Sequence, residues 1–400
     1  MTKKTIKDIT LDNKRVLIRV DFNVPVQDGK ISDDKRIKEA LPTIEYILSK
    51  PGTSVILMSH MGRPKGEKKP EYSLKPIAVQ LEKLMKRPVT MLDDCIGDNV
   101  KKACQNAKPG SIIMLENLRY YGAETSKDNS IREDFAKKLA ELGDIYVNDA
   151  FGTAHREHAS TATIARFMKS AVAGFLMERE LEFLGRVITN PERPFVFIIG
   201  GFKVSDKIGV LETIIDKADR ILIGGAMRFT FLKANGINVG RSPVEESMLD
   251  KARQLMKKAK DLGKELLLPI DVVVAKGFDD GDNAEIRMNE DFTDDVEGFD
   301  IGPKSTHLFC EKVKDAKTVF WNGPMGAFEV DAFENGTLGL ARAIALNKNC
   351  ISVIGGGDSA AAIHKLGLDS DFTHISTGGG ASLEFIEGKD LPGVVVLNSK

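Results

Sequence analysis

The chain has 400 residues, 42% of them hydrophobic and 29% charged, with a formal net charge of -1. One hydrophobic core stops growing at roughly 250–300 residues, so two domains are expected, and the balanced charge gives no global field to recruit nucleic acid or a membrane surface. No apolar run approaches the roughly 20 residues that span a bilayer, and the opening MTKKTIKDIT has neither the apolar stretch nor the cleavage site of a signal peptide.

In chain order, short apolar runs alternate with longer segments of helical period. The strand-like runs are 16–20, 55–58, 112–115, 145–147, 195–199, 221–223, 266–274, 319–321 and 351–354. They are dense in Val, Ile and Leu without polar alternation, which suits a sheet buried on both faces. Amphipathic segments 36–48, 131–142, 205–215, 247–262 and 338–346 lie between them. Strand–helix alternation predicts right-handed βαβ units and parallel sheets. A further helical segment, 177–188, ends at Asn190-Pro191 and Arg193-Pro194, strong breakers. It reads as the linker between two doubly wound halves, whose ligands would bind beyond the carboxyl ends of the strands.

The residues just past those strand ends carry the chemistry. In the first half they are Arg19-Val20-Asp21-Phe22-Asn23, Ser59-His60-Met61-Gly62-Arg63, Glu116-Asn117-Leu118-Arg119, and the stretch from Asn148 to His158. Arg36 opens the helix after the first strand. Parallel strands bring such ends side by side. Arg19, Arg36, Arg63, Arg119 and Arg156, with His60, His155 and His158, then converge, and guanidinium forks suit a small carboxylate- and phosphate-bearing anion. Arg19, His155 and His158 are expected as an outer basic ring. The pair His155 and His158 has no third ligand nearby for zinc.

The second half delivers glycine instead. Gly200-Gly201-Phe202-Lys203, Gly224-Gly225-Ala226, Asn322-Gly323-Pro324, Gly355-Gly356-Gly357-Asp358-Ser359 and Thr377-Gly378-Gly379-Gly380 each follow a strand or open a helix. Glycine turns let phosphate approach the backbone, and helix N-termini hold anions. Neither GxxxxGK[ST] nor GxGxxG occurs, so a Walker site and a dinucleotide fingerprint are both excluded. Lys203 and Lys207 are four apart, on one face of a helix, with room for an anion between them. Asp358 either caps its helix or holds a metal. Cys95, Cys104, Cys310 and Cys350 form no CxxC pair and read as reduced thiols of a cytoplasmic protein.

An anion site in one half and a phosphate cradle in the other describe phosphoryl transfer, which rests on positioning and charge neutralisation. At this point RVDFNVP (19–25), SHMGRP (59–64), LENLRYY (115–121), VNDAFGTAHREH (147–158), KVSDKI (203–208), WNGPMGAFE (321–329), GGGDSAAA (355–362) and HISTGGGASLEF (374–385) closely resemble the phosphoglycerate kinase family. The resemblance runs in order over essentially the whole chain.

It implies an α/β fold of two Rossmann-like three-layer domains with parallel central sheets, joined by a hinge helix. Residues 1–172 with 388–400 would bind 3-phosphoglycerate or 1,3-bisphosphoglycerate. Residues 173–387 would bind ADP or ATP with Mg²⁺, and 173–190 would be the interdomain helix. By match, the substrate residues are Asp21, Phe22, Asn23, Arg36, His60, Met61, Gly62, Arg63, Arg119 and Arg156. The nucleotide residues are Gly201, Lys203, Lys207, Gly225, Gly298, Asn322, Pro324, Glu329, Gly355, Gly356, Gly357, Asp358 and Ser359. Arg36 and Lys203 would act on the phosphoryl group in flight beside the amides of Gly378 and Gly379, Glu329 would hold the ribose, and Asp358 the Mg²⁺-nucleotide. The resemblance also implies a cytoplasmic monomer. Four positions depart from the usual pattern: Phe202 and Arg228 stand where Ala is common, Ala226 for Gly, and Ala327 for Val. They gather around the expected adenine pocket, and Phe202 and Ala327 are expected to face one cavity.

Overall fold

The computed structural model describes residues 2–27 and 29–400. The chain divides into two compact units, Met1–Glu182 with Asp390–Lys400, and Phe183–Lys389. The division falls within the helix Phe175–Thr189.

The first unit is built on six parallel strands in the order Val89–Met91, Ile112–Met114, Ser54–Met58, Arg15–Val20, Ile145–Asp149 and Ala171–Ala173. All residues of Ser54–Met58 and Ile145–Asp149 are buried, as their apolar cores Val55–Met58 and Ile145–Val147 require, and Ser54, Asn148 and Asp149 are buried with them. One face packs against the helices Lys35–Leu48 and Lys75–Met85 through Ile37, Ile44, Ile77 and Leu81. The C-terminal segment closes the edge: Asn398 donates its N–H to the Ala171 carbonyl at 2.8 Å, and Asn148 Nδ2 donates to the Gly393 carbonyl at 2.9 Å.

The second unit repeats the plan with Glu265–Leu267, Arg220–Ile223, Phe195–Ile199, Thr318–Asn322, Ile351–Gly355 and His374–Ile375. Trp321, Phe309 and Ile354 are fully buried in its core. A second, antiparallel sheet of Glu285–Met288, Asp271–Ala275 and Glu297–Ile301 carries its own small core around Phe229, Val272 and Phe292.

Two local readings change. The run expected as one strand over 266–274 is two strands in different sheets, Glu265–Leu267 and Asp271–Ala275. Pro269 between them has no N–H for a ladder and ends the first. The helix expected over 205–215 begins only at Ile208, with Lys207 as its N-cap residue. The turn set by Gly201, at φ 117°, occupies the preceding residues.

Candidate active site

In the first unit the register sets the site. Arg19 pairs with Met58 on one side and Asn148 on the other, so Asp21, Ser59-His60 and Ala150 leave neighbouring strands together. Asp21 holds Arg36, whose Nη1 donates to Asp21 Oδ2 at 3.1 Å and to the Asn23 carbonyl at 3.2 Å. Asn23 Oδ1 accepts from the Gly62 N–H at 2.9 Å, and the Gly62 carbonyl accepts from Arg119 Nη1 at 2.7 Å. Arg156 donates Nε to His155 Nε2 at 3.1 Å. Arg63 is exposed and has no hydrogen-bond partner among the described residues.

The convergence shows in His60. It is buried, and its pKa is pushed well below the ordinary 6.5, first by burial and then by Arg19, Arg119, Arg156 and Arg36. Burial, with Arg19 and Arg156, also lowers Arg119 to about 10. Cations crowd this basin beyond what its acids neutralise.

The expected outer ring is absent. Arg19 is fully buried and spends its guanidinium inward, on the Val20 carbonyl, on Ser160 Oγ at 2.8 Å and on His60 Nδ1 at 3.1 Å. Ser160 in turn donates to Glu124 Oε1 at 2.6 Å, and Glu124 is buried. Arg19 therefore supports the basin from beneath. Burial and the adjacent arginines lower His155 to about 4 and His158 to about 3, so both are neutral at pH 7. Phe22 and Met61 turn their side chains into the core. The Met61 backbone is engaged on both sides by Asn117, which accepts from its N–H at 3.2 Å and donates to its carbonyl at 2.8 Å. Strand ends mark Asn117 and Arg19, but only the fold distinguishes a support from a ligand.

In the second unit four neighbouring strands end level. Ile199 pairs with Ile223 and Asn322, and Asn322 with Gly355. Each therefore runs straight into glycine: Gly200, Gly224, Gly323 and Gly356. The glycines are needed sterically, because a Cβ on Gly200 would strike the carbonyls of Gly323 and Pro324, and one on Gly225 the backbone of Gly201. Lys207 Nζ donates to Asn322 Oδ1, and burial lowers its pKa from 10.5 to about 8. Ser359 Oγ accepts from the Gly323 N–H at 2.7 Å. Gly357 and the exposed Asp358 open the helix Gly357–Lys365. Lys203 is exposed and unpartnered among the described residues, in the turn rather than on a helical face shared with Lys207. The Gly378 N–H is already taken by Ser376 Oγ at 3.0 Å, while Gly379, at φ 50°, caps the helix Gly380–Ile386.

Beside these turns lies a cavity of about 380 Å³ lined by Gly201, Gly225, Gly298, Pro324, Glu329 and Asp358. All four departures from the family pattern also line it: Phe202, Ala226, Arg228 and Ala327. Phe202 and Ala327 thus face one cavity as expected, with Phe202 two-thirds exposed at 66%. Glu297, Phe278 and Phe299, also in the lining, were not singled out in the sequence. Glu297 and Phe299 share the strand Glu297–Ile301 and Phe278 comes from the loop after Asp271–Ala275, and nothing in their local spacing marks them.

Arginines gathered around His60 in one unit, and glycine turns with Lys207 beside a cavity in the other, suit a phosphotransferase. The profile of the phosphoglycerate kinase family matches residues 6–389. The phosphoglycerate kinase of Dictyoglomus turgidum is 55% identical over 403 residues, covering 100% of both chains. That of Thermosipho africanus is 53% identical, covering 100% of this chain and 99% of its own. The solved phosphoglycerate kinase of Coxiella burnetii superposes with a TM-score of 0.87 at 40% identity, over 98% of each chain. The chain belongs to the phosphoglycerate kinase family. It is a kinase that transfers a phosphoryl group between ATP and the carboxyl group of 3-phosphoglycerate, a step of glycolysis. Among the described residues no helix is long and apolar enough to cross a membrane.

Proposed function

We propose that the arginine basin of the first unit binds 3-phosphoglycerate and that the glycine turns and cavity of the second bind ADP or ATP. The observation that carries this is the convergence of Arg19, Arg119, Arg156 and Arg36 on buried His60, whose pKa is lowered first by burial and then by those four guanidiniums, a gathering of positive charge that a polyanion would neutralise. Arg63, Arg119 and Arg156 suit the anionic groups of the substrate. Asp21 and Asn23 hold Arg36 at the first turn of its helix, where it meets the phosphoryl group in flight. Lys203, exposed and without a hydrogen bond among the described residues, supplies a second cation to that group, and the Gly379 amide a donor. The acceptor carboxylate is ionised at neutral pH, so no general base is needed.

Lys207 suits the nucleotide phosphates, Glu329 the ribose, and Gly225, Gly298 and Pro324 the walls of the base site. Among the described residues no group of three or more His, Cys, Asp or Glu could hold a metal. A lone carboxylate, Asp358, stands beside the phosphate turns. That fits Mg²⁺, which binds through one or two carboxylates plus substrate phosphates. Bound there with the nucleotide, it would neutralise phosphate charge. The helix Phe175–Thr189 is the hinge in this reading. The chain is taken to act as a monomer in the cytoplasm, where four free cysteines suit a reducing medium.

The test is a split in substrate constants. Each charge-assisted hydrogen bond contributes about 1.5–3 kcal/mol. Arg63→Ala and Arg119→Ala should therefore raise KM for 3-phosphoglycerate at least about tenfold, and KM for Mg-ATP much less. Equal changes for both substrates would overturn the assignment.

A further inference from the structure

The cavity holds more than its phosphate turns and ribose carboxylate use. Phe202 and Phe278 are exposed at 66% and 49%, yet both line the same hollow, and Phe299 lines it as well. Phe278 packs edge-on against Phe299, with ring centroids 6.1 Å apart. Exposed aromatic rings grouped around one cavity mark a site for a flat ligand. Stacking on such rings tolerates any base, so it does not choose between bases.

The choice falls to the polar groups left over. Glu297 opens the strand Glu297–Ile301, and a bulge at Phe299, between the pairs Val274–Gly298 and Val273–Asp300, leaves Glu297, Gly298 and Phe299 all in the cavity lining. It is half-buried in the cavity wall and makes no hydrogen bond or close ion pair among the described residues; burial raises its pKa, and the charge of Arg241 only partly opposes that. Arg228 lies behind the same wall, fully buried, and donates only to carbonyls: Gly225 at 2.5 Å, Asp300 at 3.1 Å and Met325 at 3.3 Å. Its Nε has no partner. The wall thus offers a two-oxygen acceptor at its rim and, behind it, a buried guanidinium whose charge faces Asp300 but whose Nε makes no hydrogen bond.

Those two signs fit one purine better than the other. Guanine carries two donors side by side, N1–H and the 2-amino group, which a carboxylate accepts as a fork. It also carries two acceptors, O6 and N7, on the edge a cation favours. Adenine offers a carboxylate one donor next to a bare ring nitrogen, and it turns an amino group where guanine has O6.

We propose that this cavity selects guanine over adenine, with Glu297 as the specificity-determining residue, so that GDP and GTP serve in the phosphoryl transfer at least as well as the adenine nucleotides. The proposal rests on the reading of the cavity as the nucleotide site. The experiment titrates Mg-ADP, Mg-GDP and Mg-IDP by calorimetry into the intact enzyme and its Glu297→Ala and Glu297→Gln variants. Two substitutions at a half-buried position guard against one failing to fold. The wild type should bind GDP no more weakly than ADP, and IDP, lacking the 2-amino group, more weakly than GDP. Losing a charged acceptor should lower the GDP-to-ADP affinity ratio about tenfold or more in Glu297→Ala, and in the same direction in Glu297→Gln. A wild type that prefers ADP tenfold, or a ratio unmoved by both substitutions, overturns the proposal while leaving the nucleotide site in place. Failure of the wild type to bind any of the three overturns both.

Discussion

Lys207 gives the sharpest test of the phosphate cradle. In the free protein its ammonium is buried against Asn322, and its pKa falls from 10.5 to about 8. Burial is the main cause, and Asp206 and Asp358 only partly offset it. The drop corresponds to about 3 kcal/mol between the charged and neutral forms. A phosphate beside the ammonium favours the charged form and returns the pKa toward its ordinary value. Nucleotide affinity should then be flat below pH 8 and weaken above it, with a slope approaching one decade per pH unit. The ceiling is about 300-fold, the same free energy expressed as affinity. Calorimetry of Mg-ADP binding from pH 6.5 to 9.5 reads this directly. Lys207→Gln should bind weakly at every pH and lose the bend, whereas Lys207→Arg should keep affinity and move the bend out of range. Stability carries the converse sign. Between about pH 8 and 10.5 the unfolded chain holds the proton that the folded one has released, so Lys207 makes the free protein more stable as pH rises through that window. An affinity profile flat to pH 9.5, or a bend that survives in Lys207→Gln, would refute the reasoning.

Other expectations follow from the same geometry. Arg36→Ala should lower kcat by about 10³-fold or more, the range for a cation acting on a phosphoryl group in flight, and near-normal turnover would exclude that role. Phe202→Ala and Ala327→Val should be non-additive for ADP affinity, with a coupling of about 0.5 kcal/mol or more; strict additivity would mean that the two positions do not compensate. Asp149 is buried with Oδ2 unpaired, and burial raises its pKa from 3.8 to about 7. The folded state therefore holds a proton that the unfolded chain has lost between those values, and its stabilising effect fades as pH rises from 4 to 7. Asp149→Asn should flatten that part of the stability profile in urea unfolding, and an unchanged slope would show that Asp149 does not set it.

The strand ends were legible because both halves of the site lie on them. Arginines after four first-half strands and glycines after the second-half strands sit at fixed places in a parallel sheet, so the sheet itself brings them together. What failed was local or three-dimensional. The run over 266–274 hid a change of sheet at Pro269. The spacing of Lys203 and Lys207 suggested a helical face that Gly201 prevents by turning the chain first. Arg19 looks like any other arginine at a strand end, yet its burial beneath His60 depends on Ser160 and Glu124, which arrive from loops more than a hundred residues away. The base cavity was the least legible part. Its walls come from residues near 202, 278, 297 and 327, and their meeting is a property of packing alone.

The buried acids and the crowded arginines of the first unit belong to one electrostatic arrangement. Arg19 and Arg119 press on His60 and His158, and Glu124, buried with them, has its own pKa raised by burial against the pull of Arg19. Burial first, and then Arg19 and Arg156, lower the pKa of Arg119 to about 10, while Glu124 and Asp21 pull it the other way. The empty basin is therefore less stable than its packing alone would give, and an anion that fills it supplies the missing charge. Binding and stability are linked, so saturation at 100 times Kd adds about 2.7 kcal/mol to the folded state. On the proposed assignment that gain has a location, because the arginines that crowd one another in the free protein are the groups that would contact the anion. A basin tuned by removing one arginine would become more stable when empty and would gain less when full. On that assignment the positive charge gathered in the free protein is the same charge that would select a polyanion.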